Sequence, residues 1–125
     1  MRILITGSRD LTDVLLVNDA IQNVVDSSGP VSLVVGDCPT GADRFAREYF
    51  RISGALDLVD VHYADWTTHG RAAGPLRNQA MVDSGADLCL AFYREGAGNR
   101  GTRDCVRRAR AAGIEVREVT EANRP

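Results

Sequence analysis

Three short runs of the chain are apolar at every position: Ile3-Leu4-Ile5, Leu33-Val34-Val35 and Leu88-Cys89-Leu90-Ala91-Phe92. A strand with one face in water alternates apolar and polar residues. A run that does not alternate is buried on both faces, which points to a parallel sheet covered by helices. Two weaker strands are predicted over 58–63 and 114–119. The last alternates through Ile114, Val116 and Glu118, as an edge strand does.

Helical spacing fills the intervals. Val14, Val17, Ile21, Val24 and Val25 lie on one helical face, with Thr12 as the expected N-cap and Ser28-Gly29-Pro30 as a stop signal. Thr40 and Asp43 resemble a capping box opening a second helix, with Ala42, Phe45, Ala46 and Tyr49 on one face. Gly74-Pro75 sets proline in the first turn of a third helix running to about Ser84. Thr102 opens a fourth, which ends at Gly113. Strict alternation of strand and helix predicts an α/β, Rossmann-like, doubly wound fold. Its five parallel strands are expected in the order 3-2-1-4-5, with helices on both faces. Winding reverses at strand 1, so strands 1 and 4 should flank a ligand crevice. Residues 1–125 read as a single domain without repeats or linkers. Two long loops are predicted, 64–74 and 93–101, the first as a wall or lid of the crevice.

Composition narrows the chemistry. All 15 basic residues are arginine, and the net charge is −2. Without lysine there is no Walker-type phosphate lysine and no Schiff base. Anions must be met by arginine, backbone N–H groups or helix N-termini. The net charge argues against bulk electrostatic binding of nucleic acid. Three cysteines and two histidines show no zinc spacing, so no metal or other cofactor is expected. No apolar run approaches the ~18 residues of a membrane span. The first residues read straight into a strand, with no secretory leader pattern. A reducing, cytoplasmic setting is the expectation.

Four strand-to-helix junctions carry conspicuous residues. They are Gly7-Ser8-Arg9-Asp10, the Gly36-Asp37 to Gly41-Ala42-Asp43 stretch, Gly70-Arg71 to Gly74-Pro75-Leu76-Arg77-Asn78, and Gly96-Ala97-Gly98-Asn99-Arg100-Gly101-Thr102. Glycines let the backbone approach a ligand closely. Helix N-termini favour phosphate. Arg9, Arg77 and Arg100 can make bidentate contacts to it. Asp37 and Asp43 can accept from ribose hydroxyls or a base. Trp66 offers a surface for stacking, and His69 lies in the same loop. The last junction matches GxGxxG formally, but it follows the fourth strand and reads as a phosphate loop without implying a dinucleotide. GxSxG is absent, which excludes the usual hydrolase elbow. The expected ligand-binding set is Gly7, Ser8, Arg9, Gly36, Asp37, Gly41, Asp43, Trp66, Gly74, Arg77, Asn78, Gly98, Arg100, Gly101 and Thr102.

These junctions, with Ala64-Asp65-Trp66, His69 to Pro75, Ala91-Phe92 and Arg107-Arg108-Ala109, together resemble the YspA-like, cpYpsA-related group of the SLOG superfamily across nearly the whole chain. The resemblance implies a Rossmann-like fold and the binding or sensing of a nucleotide-derived small molecule. Relatives include LOG phosphoribohydrolases, which cleave the N-glycosidic bond of nucleoside monophosphates, and DNA-binding DprA proteins. Both remain alternatives, and nucleic-acid binding is disfavoured by the charge. The LOG signature PGGxGTxxE is kept here only at Gly101-Thr102. Cys105 stands where its glutamate would be, and Arg77-Asn78 replaces an Arg-Lys pair. A carboxylate is needed to stabilise an oxocarbenium ion or activate water. Asp104, Asp43 and Asp37 are the candidates, and binding without efficient hydrolysis is expected. LOG relatives also imply a homodimer, with the 66–77 segment near its surface.

Overall fold

A computed structural model describes residues 1–96 and 98–123. Five strands form one parallel sheet: β1 (Arg2–Gly7), β2 (Ser32–Gly36), β3 (Val59–His62), β4 (Leu88–Phe92) and β5 (Glu115–Val119). Their order is β3-β2-β1-β4-β5, as the alternation of elements predicts. Strand β1 is central. Leu4 pairs with Val34 of β2 on one edge and with Cys89 of β4 on the other.

Side chains of the three apolar runs divide between two cores. Ile3, Ile5, Leu33, Val35, Leu88, Leu90 and Phe92 face α1 (Val14–Ser28) and α2 (Gly41–Ile52). Leu4, Val34 and Cys89 face Met81 and Val82 of α4 (Ala73–Asp83) and Cys105 and Ala109 of α5 (Arg100–Ala111). Both faces are therefore covered, which is why these runs do not alternate. The chain travels one way across the sheet from β1 to β3, then reverses. With right-handed crossovers, that reversal moves the later helices to the opposite face.

Several local expectations need correction. The N-cap of α1 is Asp13, whose Oδ1 accepts from the Leu16 N–H at 3.2 Å; Thr12 lies outside the helix. Its buried face is Leu16, Val17, Ile21 and Val24, while Val14 is exposed. Leu16 thus takes the place of Val14, and Val25 packs half-buried against the same core. Thr40 is at the N-cap of α2 but forms no capping box. Its hydroxyl donates to the Arg9 carbonyl at 2.9 Å, because the β1–α1 and β2–α2 turns pack together. The predicted loop 64–74 is mostly helical. Asp65 caps the short α3 (Trp66–His69), and a 3-10 turn, Gly70–Ala72, leads into α4. The segment 93–101 does remain largely irregular. Asn99 braces it by hydrogen bonds to the Arg94 N–H and C=O, and α5 begins at Arg100 rather than Thr102. Ala97, within the GxGxxG match, lies outside the described residues.

Among the described residues, no helix is long and apolar enough to cross a membrane. The central strands should carry most of the stability. Leu90→Ala in β4 is expected to cost about 2–5 kcal/mol, as for other core truncations. Glu115→Ala on exposed β5 should stay within about 0.5 kcal/mol. Urea unfolding of the two variants checks this, and equal costs would contradict the two-core description.

Candidate functional site

Where winding reverses, the turns after β1 and β4 leave the sheet in different directions and open a crevice between them. Its cavity volume is about 90 Å³. Thr6, Gly7, Ser8 and Arg9 come from β1 and its turn, and Cys38 and Asp43 from the β2–α2 junction. Arg77, Asn78 and Met81 come from α4, and Gly98, Gly101 and Thr102 from the start of α5. Residues from all four junctions thus reach one place.

The turns meet closely enough to require glycine. Gly41 has φ +70°, and a Cβ there would strike the Ser8 carbonyl oxygen and the Arg9 backbone. A Cβ at Gly36 would lie 2.6 Å from a guanidinium nitrogen of Arg77 and 2.7 Å from a carboxylate oxygen of Asp43. Gly98 and Gly101 differ. Among the described residues, and apart from chain neighbours and the backbone of α5 itself, a Cβ at either would meet nothing within 4 Å, and no left-handed φ is recorded at either. Neither turn geometry nor packing requires glycine at these two positions, and both line the crevice.

Charge in the crevice is organised by Arg77. Its guanidinium donates to Asp37 Oδ1 at 2.9 Å and to Asn78 Oδ1 at 3.2 Å. Asp43 lies almost fully buried beside it. Burial pushes the Asp43 carboxyl up to about 6. The charges of Arg77 and Arg47 and a hydrogen bond from the Cys38 N–H pull it back, and the nearby Asp37 adds to the rise. Arg47, which sequence reasoning missed, donates to the carbonyls of Gly36 and Cys38 at 2.8 and 2.7 Å. It holds the turn that presents Asp37 and Asp43. Its only sequence signal is its place one helical turn beyond Asp43.

The Asn78 amide joins α4 to α5, donating to the Gly101 carbonyl at 3.2 Å and to Asp104 at 3.0 Å. Asp104 also accepts from Arg107 at 2.6 Å and Arg108 at 2.9 Å. Burial alone would raise its carboxyl, but Arg108, Asn78 and Arg107 together hold it below the usual carboxylate range. Cys105 is fully buried in the α4–α5 core. Burial pushes its thiol up to about 11, partly offset by a hydrogen bond with Thr6. Of the three candidate carboxylates, Asp43 alone lines the crevice.

Of the expected ligand-binding set, Gly36, Asp37, Gly41, Trp66, Gly74 and Arg100 are not on its lining. Trp66 is half exposed, with its ring 3.4 Å from where a Gly74 Cβ would sit. Arg100 is exposed on the first turn of α5. A wider hollow, about 940 Å³, lies between α5 and the segment after β5. Of the four arginines on its lining, Arg107 is answered by Asp104 and Arg110 by Glu118 at 2.9 Å, while Arg94 and Arg103 have no ion pair among the described residues. Among the described residues, no group of three or more His, Cys, Asp or Glu side chains is placed to hold a metal ion.

The raised Asp43 carboxyl has a consequence for stability. The folded chain holds this proton more tightly than the unfolded chain does. Stability should therefore fall as pH rises from about 4 to about 6, then level off. For this one group the loss is on the order of 2–3 kcal/mol. Asp43→Asn should remove that component, so its stability relative to the parent should improve between pH 4 and pH 7. Urea melts of both proteins at the two pH values test this; parallel pH trends would contradict the burial account.

The sequence profile of the YspA, cpYpsA-related SLOG family matches residues 1–69. A relative from Mycobacterium phage D29, named Gene 61 protein, is 42% identical over 118 residues, covering 92% of this chain and 93% of its own length. No solved structure matches the chain significantly. With more than half of its length matched by the family profile and a relative alike from end to end, the chain belongs to the YspA, cpYpsA-related SLOG family.

Proposed function

We propose that the crevice takes a phosphate of a nucleotide or nucleotide-derived signal, with the adjoining sugar at its mouth, and does not turn the ligand over efficiently. Membership of the SLOG family suggests a nucleotide-related role. The observation that carries the reading is the pair Gly98 and Gly101. Gly101 lies in α5, where glycine costs up to about 1 kcal/mol relative to alanine; Gly98 lies just before the helix, and a Cβ at either would have open space around it. A ligand that needs the backbone bare, with phosphate oxygens against the first turn of α5, accounts for both. Arg77 and Arg9 supply charge-assisted donors. Asp43, which lines the crevice, supplies an acceptor for a ribose hydroxyl.

Hydrolysis of an N-glycosidic bond needs a free carboxylate at the sugar. Asp104 is held by two arginines and Asn78, and Cys105 is in the core. A second reading keeps the same pocket and adds hydrolysis by Asp43, because a carboxyl near 6 can exchange a proton at neutral pH. DprA-like binding of nucleic acid has less support, given a net charge of −2.

Gly101→Ala separates a ligand's need for glycine from the fold's. It should raise stability by about 0.5–1 kcal/mol in urea. Titration calorimetry with the four common nucleoside monophosphates should show binding weakened about tenfold or more, the loss expected for one displaced charged hydrogen bond. Arg77→Lys, which keeps charge but loses the planar fork, should weaken it by a similar factor. Unchanged affinity in Gly101→Ala would remove the α5 turn from the site. Steady release of free base, abolished by Asp43→Asn, would establish the hydrolytic reading instead.

A further inference from the structure

A second hollow, with a cavity volume of about 470 Å³, adjoins the crevice. Arg9 lines both. Two more guanidiniums line the second: Arg44 from α2 and Arg94 from the turn after β4. Fold alone brings the three together, since they lie far apart in sequence. All three are exposed, and their side chains make no salt bridge or hydrogen bond among the described residues. Elsewhere arginine is mostly answered: Arg2 by Asp60, Arg51 by Glu48, Arg77 by Asp37, Arg108 by Asp104 and Arg117 by Glu115. Asp10 is the one acid on the lining of this hollow. Glu48 is near enough to feel the charge of Arg44 without pairing with it. In a chain of net charge −2, an unanswered cluster of three cations is an unequal use of charge. Folding does not favour it, since the three repel one another.

The crevice itself adds a constraint. At about 90 Å³ it admits a phosphate-sized group but not a whole nucleotide. Whatever enters it must continue outward, and the shared Arg9 marks one direction. We propose that the hollow of Arg9, Arg44 and Arg94 is a second anion subsite, taking a further phosphoryl group of the same ligand. The ligand class is then a nucleotide with two or more linked phosphates. Guanidinium forks match phosphate oxygens two at a time and stay charged at any working pH. This inference rests on the proposed reading of the crevice, and the test separates the two.

Titration calorimetry would compare AMP, ADP, GMP, GDP and inorganic pyrophosphate on the parent chain and on an Arg44→Gln/Arg94→Gln variant. Both substituted side chains are exposed, and an unchanged circular-dichroism melt verifies the fold. On the parent chain, at least one diphosphate should bind about tenfold or more tightly than its monophosphate. In the variant that advantage should fall to about twofold or less, with monophosphate affinity kept. Equal binding of mono- and diphosphates by the parent, or a diphosphate preference that survives in the variant, would overturn the subsite. If no nucleotide binds but pyrophosphate does, and the variant loses it, the subsite stands and the crevice reading fails. Absence of binding by pyrophosphate and by every diphosphate would overturn the subsite.

Discussion

A parallel strand cannot be followed directly by its neighbour; the chain must cross over the sheet, and it does so with one hand. Strand β1 is hydrogen-bonded to parallel partners on both edges, β2 and β4. The crossovers that serve those partners lie on opposite faces of the sheet. The turns leaving β1 and β4 are thereby pulled apart, and a gap at their C-terminal ends is unavoidable. Everything proposed for this protein depends on that gap. The buried runs hold β1 in the centre, and the centre position makes the crevice.

Arg77 then decides the electrostatics of the gap. It reaches from α4, on one face of the sheet, to Asp37 at the end of β2, and it lies against Asp43 at the start of α2 on the other face. Arg47 fixes the same turn from behind through two carbonyls. Without these two cations, a buried carboxyl and its acidic neighbour would face each other with nothing to balance them. The arrangement joins helices from both faces at the mouth of the crevice. Burial outweighs the pull of these cations and leaves Asp43 easily protonated, so the pocket's charge varies across mildly acidic pH.

The sheet was legible because burial on both faces leaves a direct trace: Ile3-Leu4-Ile5, Leu33-Val34-Val35 and 88–92 have no polar member. Topology followed from alternation and the handedness rule. Gly7, Arg77 and Gly101 could be placed near one another because each ends a strand or begins a helix. Side-chain partners were not legible. Thr40 looked like a cap for its own helix, yet it bonds the Arg9 carbonyl, a partner supplied by tertiary packing. Asp104 looked available, yet Arg107 and Arg108 of its own helix and Asn78 of another occupy it. Trp66 stands in a short helix where the sequence suggests a loop, because the Asp65 side chain caps it. Arg94 carried no motif, and only the folded chain sets it and Arg44 beside Arg9.

The central claim is that ligand enters between the ends of β1 and β4 and not the wider groove beside β5. Backbone amide NMR, with each nucleoside monophosphate titrated in turn, tests it most directly. The account predicts that the amides of Gly7, Gly98, Gly101 and Thr102 shift together and saturate at one ligand concentration. Shifts confined to Tyr93, Arg110 and Glu118, or no saturable shift with any nucleotide, would contradict it.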